Sequence, residues 1–383
     1  MKVAHVVRQF SPAVGGLEEA VHSIARAQRD QLGIDARIIT LNRIFDKPDY
    51  LPKNDVVDGI PVLRLPWAGS TRYPLAPSVL SHVRSFDLLH VHAIDFFFDF
   101  LALSKPLHRR PMVASTHGGF FHSQELARLK RVWFSTVTRA SITAYQRIVA
   151  CSYHDAELFK PVAGHRLTTI ENGINQSKFA DASSRTPSRT IISYGRFARH
   201  KRLDALFPVL AQLHENDPAW RLIIAGSYGD QTEAELRDSA TSAGVKDLVE
   251  FVIGPSDGEL KALIARCGYF ASFSAHEGFG LAAVEAMSAG LLPILSGIEP
   301  FRRLISASAV GLILDPDNVT ETAAAIASSF TTDPERFTAR RAQCMHAVRR
   351  YDWNAVARLY TDVYDDVLSR RRSTHATTSQ PLG

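Results

Sequence analysis

Two carboxylates bracket a glycine-rich turn in the stretch HEGFGLAAVEAMSAG, where Glu277 precedes Gly278-Phe279-Gly280 and Glu285 follows. The residues after Gly280 have helical spacing, which sets Glu285 on one face with Leu281 and Val284. An ionised carboxylate on an apolar stripe is costly unless hydrogen-bond donors meet it. Either the stripe faces a ligand rich in donors, or the helix is a surface helix with its polar face running through Glu285. The turn lies between an apolar strand, YFASFS, and the helix start. Unpaired amides and the helix dipole favour an anion there, by roughly 0.3–1 kcal/mol at an exposed site.

A second cluster could serve the same anion. Tyr194-Gly195-Arg196-Phe197-Ala198-Arg199-His200-Lys201-Arg202 follows the strand TIISYGRF. Cations at the C-terminal end of a parallel strand face the ligand crevice, so Arg196 and Lys201 could neutralise a departing diphosphate. A solvated basic loop is the alternative. Asp315-Pro316-Asp317 is the sole D-x-D and reads as a proline turn rather than a metal site.

Two ligand classes compete for these residues. Gly278 to Ala283 fits G-x-G-x-x-A, and Glu299 falls where a dinucleotide's ribose acid belongs. Ala275, His276 and Glu277 intervene before those glycines, however, and a dehydrogenase leaves both glutamates without a task. A nucleotide sugar uses all of them: diphosphate at the helix start, ribose on Glu285, sugar hydroxyls on Glu277.

In the first half, Gly15 and Gly16 of PAVGG repeat a strand, loop and helix-start arrangement, which is also an ordinary connection. A lone histidine is usually structural, but His117 ends the strand MVASTH before two glycines, so it should point into the crevice and is a better candidate for the reacting centre. Ser/His/Asp, HExxH and Walker patterns are missing.

These residues need a scaffold that sets strand ends opposite helix starts. Short β-rich runs alternate with amphipathic helices along all 383 residues, the pattern of parallel sheets covered by helices. The alternation lapses at 176–189 and then restarts. The expected fold class is α/β with two doubly wound, Rossmann-like domains facing a cleft: 1–175, then a linker at 176–189, then 190–350. A helix at 351–372 and a disordered tail at 373–383 complete the chain.

Hydrophobic residues make up 45% and charged residues 22%, as in a globular protein, and no run of about 18 apolar residues marks a membrane span. The first residues read as a strand rather than a signal peptide, which places the chain in the cytoplasm. Cys151, Cys267 and Cys344 form no CxxC pair and read as reduced packing residues. The net charge of +5 suggests an anionic partner. From Lys105 to Arg147, eight cations face Glu125 alone, and Trp133 and Phe134 interrupt them. Arg128, Lys130, Arg131 and Trp133 would suit an anionic membrane surface, or else a solvated helix face with core aromatics. No nucleic-acid-binding module appears.

In this order, the motifs GGLEEAV, STHGG, ENGI, GRFARHKRLDAL and EGFGLAAVEAMSAG resemble the family-four retaining glycosyltransferases of GT-B architecture. The opening MKVAHVVRQFSPAVGGLEEAV is similar to the subset of α-mannosyltransferases that extend polyprenyl-diphosphate-linked cellobiose in xanthan- and acetan-type exopolysaccharide assembly. The resemblance implies that Arg196 and Lys201 bind the donor diphosphate, Glu277 the transferred sugar and Glu285 the ribose. It implies that His117 sits beside the anomeric centre, that Gly15 and Gly16 line the cleft, and that amides from Phe279 through Gly280 to Leu281 meet sugar or phosphate. It further implies GDP-mannose as donor, a lipid-linked oligosaccharide acceptor, no metal or cofactor, and a last helix that returns to the N-terminal domain. One departure from the pattern is Arg202, where many relatives carry glycine. A dinucleotide oxidoreductase, a non-catalytic lipid- or glycan-binding protein and a sugar-nucleotide epimerase are the competing readings.

Overall fold

Apolar strands buried on both faces need helices above and below them, and the chain meets that need twice. A computed structural model describes all residues except 46, 48, 119–131 and 378–383, together with the side chains of 371–377. The chain forms two compact units, Met1–Gly173 with Trp353–Gly383, and Ile174–Asp352.

The first unit is built on β1 (Lys2–Val6), β2 (Asp35–Leu41), β3 (Asn54–Val57), β4 (Ile60–Leu65), β7 (Leu88–His92), β8 (Met112–Ser115), β9 (Arg147–Ala150) and β10 (Leu167–Thr169). A small hairpin, β5 (Ala68–Ser70) and β6 (Tyr73–Leu75), lies apart from them. The sheet order is β10-β9-β8-β7-β1-β2-β4-β3, parallel except for the β3–β4 edge. Alternation along β1 sends Ala4 and Val6 into one apolar cluster, and Val3 and Val7 into another. The second cluster holds Val21 and Ile24 of the first helix (Gly16–Leu32) with Val356, Tyr360 and Tyr364 of the last helix (Trp353–Thr377). That last helix includes residues 373–377, where the sequence suggests disorder, because no breaker follows the apolar stripe that starts it.

The second unit contains β11 (Thr190–Tyr194), β12 (Arg221–Gly226), β13 (Val249–Ile253), β14 (Tyr269–Ser272), β15 (Leu292–Ser296) and β16 (Leu312–Leu314). Their order, β13-β12-β11-β14-β15-β16, is all parallel and doubly wound about β11 and β14. Crossovers leave these two strands in opposite directions and so open a crevice at their C-terminal ends. The stretch 176–189 lies inside this unit. Phe179 is fully buried, and Arg341 reaches Asp181 Oδ1 at 2.7 Å and Ser183 Oγ at 2.9 Å. Low apolar periodicity there reflects pinning by one buried arginine.

Candidate active site

The switch point between β11 and β14 brings four of the sequence-derived residues into one pocket. Arg196 and Lys201 come from the segment after β11, and Glu277 and Gly280 from the segment after β14. A backbone bond from Ala275 N to His200 O, 2.7 Å, ties the two segments together. The Lys201 ammonium pairs with Glu277 Oε1, and Ser274 Oγ donates to the same oxygen at 2.8 Å. Ser274 is held in turn by Ser272 Oγ at 3.0 Å and by Ser296, whose hydroxyl donates to its carbonyl at 2.6 Å. The Arg196 side chain is exposed and has no ion-pair or hydrogen-bond partner among the described residues. One cation is therefore matched inside the pocket and one is left for an anion.

The helix Leu281–Ser288 starts beside this pair, with Gly280 as its N-cap at φ 90°. A Cβ at Gly280 would lie 2.6 Å from the Phe301 ring, so only glycine permits this entry. Phe279 packs edge-on against Tyr351, centroids 5.3 Å apart. Leu281 is 39% exposed rather than part of the apolar stripe, because it stands at the first helical position, ahead of the packed turn. Ala283, Val284, Ala286, Met287 and Ser288 are the buried residues. Glu285 is half-buried, and its charge, after burial itself, helps push the Tyr194 hydroxyl far above its ordinary pKa. Tyr194 donates that hydroxyl to Ala282 O at 3.1 Å.

Arg202 departs from the family pattern for a visible reason. Its backbone is left-handed, φ 50°, the conformation glycine adopts freely. Its guanidinium pairs with Asp317, the second acid of the D-x-D turn. Asp317 N is bonded to Asp315 Oδ1 at 3.0 Å, as a turn requires. Glu299, the acid needed by a dinucleotide, forms a surface i,i+4 pair with Arg303 at 2.7 Å.

In the first unit, Gly15 and Gly16 line a groove with Phe10, His22 and Asp58. Glu18 and Glu19 occupy the first turn of the helix there, and an added Cβ on Gly15 would meet the Glu18 carboxylate at 2.4 Å. This helix start supplies its own negative charge and opposes a phosphate. His117 has a left-handed backbone, φ 48°. Its Nε2 lies 2.9 Å from His92 Nδ1, and its Nδ1 lies 3.6 Å from Cys151 Sγ. Burial holds its pKa down at about 4, so the ring is neutral at pH 7. The Nε2 side of the imidazole is thus held by protein, while Nδ1 has only the long contact with the Cys151 thiol.

Residue-by-residue reasoning passes over His5, His90 and His92, all fully buried. Their signal is present as histidines two apart in LLHVH and one in β1, but the strand pairing His5↔His90 that unites them is not a sequence property. The burial of Asp95, which caps the helix Phe96–Leu103 at Phe97 N, 2.9 Å, is equally silent. Cys151, Cys267 and Cys344 are free and buried. Arg128, Lys130 and Arg131 lie outside the described residues. Trp133 is 37% exposed and meets Tyr73 edge-on. No helix among the described residues is long and apolar enough to cross a membrane.

Comparison with known proteins agrees with this geometry. Residues 14–178 match "Glycosyltransferase Family 4" and 175–343 match "Glycosyl transferases group 1". The chain is 55% identical over 370 residues to a GDP-mannose:cellobiosyl-diphosphopolyprenol alpha-mannosyltransferase of Komagataeibacter xylinus, covering 97% of this chain and 94% of that protein. A protein of the same description from Xanthomonas campestris is 45% identical over 378 residues, with coverage of 98% and 100%. Among solved structures, Anabaena HepE in complex with UDP and glucose superposes with a TM-score of 0.68 at 20% identity, over 96% of this chain and all of that one. The fold is that of the GT-B glycosyltransferases, and the chain belongs to glycosyltransferase family 4.

Proposed function

We propose that the chain transfers mannose from GDP-mannose to a cellobiosyl-diphosphopolyprenol, forming an α-linkage with retained configuration during exopolysaccharide assembly. The observation that carries this is the unpaired Arg196 beside the Lys201–Glu277 pair, at the helix start opened by Gly280. The 55% identical relative supplies the substrate names.

In this reading Arg196, Lys201 and the amides from Phe279 to Leu281 hold the donor diphosphate. Glu285 takes the ribose hydroxyls, and Glu277 takes hydroxyls of the sugar. His117 contacts the sugar near its anomeric carbon, and Gly15 and Gly16 border its path. The bond from the anomeric carbon to the phosphate oxygen breaks as the acceptor hydroxyl arrives on the same face. Its proton passes to the leaving phosphate, whose charge Arg196 and Lys201 stabilise. Fixed cations suffice for that task, so transfer should persist in EDTA.

An acceptor with a polyprenyl tail implies work at the inner face of the plasma membrane. The basic stretch with Arg128, Lys130, Arg131 and Trp133 would then rest on anionic lipid. Reversing the three charges should abolish sedimentation with anionic vesicles at low salt, and unchanged sedimentation ends that part of the reading. The whole is tested by offering GDP-, UDP- and ADP-sugars with a lipid-linked cellobiosyl acceptor. Transfer from GDP-mannose alone is expected, and transfer only from UDP- or ADP-sugars would overturn the donor assignment.

A further inference from the structure

A polar chain crosses the face of the first sheet that the first and last helices cover. Gln28 Oε1 meets His5 Nε2 at 2.9 Å, His5 Nδ1 meets His92 Nε2 at 3.0 Å, and His92 Nδ1 meets His117 Nε2 at 2.9 Å. Gln28, His5 and His92 are fully buried. Such chains are costly where a member is left unsatisfied, and the Gln28 amide nitrogen is the one atom of this chain without a hydrogen-bond partner among the described residues.

The cluster of His5, His90 and His92 has the look of a metal site, with ligand atoms within 4.8 Å of one another. Hydrogen bonding leaves no nitrogen for a cation, however. His90 gives Nδ1 to the Tyr364 hydroxyl at 2.6 Å and Nε2 to Ser115 Oγ at 2.7 Å. The nitrogens of His5 and His92 are engaged in the chain just described. All six are taken.

The direction follows from counting protons. A neutral imidazole has one donor and one acceptor, and burial lowers the pKa of His5 to about 4 and that of His92 far below its usual value. Gln28 Oε1 only accepts, so His5 Nε2 carries the proton and His5 Nδ1 accepts. His92 Nε2 therefore donates and His92 Nδ1 accepts, which requires the proton of His117 on Nε2. His117 Nδ1 is left as the acceptor, in long contact with the weakly donating Cys151 thiol.

We propose that His92, backed by His5 and Gln28, is a positioning residue that fixes His117 as the Nε2–H tautomer, leaving Nδ1 to accept a hydroxyl of the transferred sugar. This deepens the proposed sugar transfer and rests on it for the identity of the ligand. Reversing the chain would move the His117 proton to Nδ1 and make that nitrogen a donor, so the buried glutamine amide sets which hydrogen bond the sugar finds. Nothing in this role requires His92 to touch substrate.

The test is the tautomer of His117 in the full-length protein, read by long-range 1H–15N correlation at pH 7. Nε2–H is expected in the wild type. In His92→Asn the amide oxygen replaces Nδ1 and should preserve that tautomer, whereas His92→Leu should give a mixture. Kinetically, His92→Leu should lower kcat about 10- to 100-fold with little change in donor KM, and His92→Asn should recover most of it. A wild-type His117 protonated on Nδ1 overturns the proposal without any variant having to fold. Unchanged kcat in a folded His92→Leu with mixed tautomers overturns it equally. If the wild type transfers no sugar from GDP-mannose, the donor reading fails while the tautomer result still stands.

Discussion

Lys201 and Glu277, 76 residues apart in sequence, form an ion pair in which the lysine side chain is 22% exposed and the glutamate 13%. Each holds the other's charge in a place where neither is well solvated. A diphosphate arriving at the pocket would share the lysine, leaving Glu277 to find sugar hydroxyls instead. Lys201→Ala removes the cation and strands the carboxylate. It should cut transfer by about 10²–10³-fold while circular dichroism is unchanged. Steady-state rates within twofold of wild type would remove Lys201 from the mechanism.

Glu285→Gln keeps the shape of the side chain and removes its charge. A charged hydrogen bond is worth about 1.5–3 kcal/mol, so donor affinity should fall roughly 10- to 100-fold. GDP alone should be weakened as much as GDP-mannose, since the proposed contact is with ribose. Calorimetric titration of both ligands checks this. A loss confined to GDP-mannose would move Glu285 to the sugar.

Gly280→Ala places a methyl against the Phe301 ring and forces φ 90° on a residue that disfavours it. The second unit should lose about 1–3 kcal/mol. The double substitution Gly280→Ala/Phe301→Leu should relieve the clash and leave only the backbone part. Urea unfolding separates the two, and equal losses in the single and double variants would discount Phe301.

The buried histidines make the first unit acid-sensitive. His5 and His117 fall to about 4, and His90 and His92 fall well below their ordinary value of 6.5, chiefly through burial. Their stabilisation is complete above pH 6.5 and is lost as pH falls toward 4. Asp95 works the other way. Burial raises it to about 7, so its contribution is full below pH 4 and fades as pH rises through 7. The four histidines outweigh Asp95, so unfolding takes up protons near pH 5 and the first unit loses stability as pH falls. In Trp220→Phe the remaining tryptophans, Trp67, Trp133 and Trp353, all lie in the first unit and report its urea unfolding. A midpoint that does not move between pH 6.5 and 5 contradicts this.

What the sequence discloses is local. The strand, turn and helix around Gly280 are legible because apolar periodicity and glycine spacing are chain-neighbour properties. So is the helical phase of Glu285, although Leu281 misleads by occupying an unpacked first position. Strand order is not local, and it makes Lys201 and Glu277 partners and sets His5 beside His90. The proline turn at Asp315 to Asp317 can be read directly, whereas its hold on Arg202 cannot. Likewise the Ser- and Arg-rich stretch 176–189 looks loose because Arg341, which anchors it, comes more than 150 residues later.

The last helix, Trp353–Thr377, finishes a unit whose other residues end at Gly173. A ribosome therefore releases the middle unit with all of its strands before the first unit can be roofed. Until then Val3, Val21 and Ile24 wait for Val356 and Tyr360, their eventual neighbours in one cluster. Nascent chains truncated anywhere before Trp353 should expose this oily sheet face and need a chaperone to keep them from sticking.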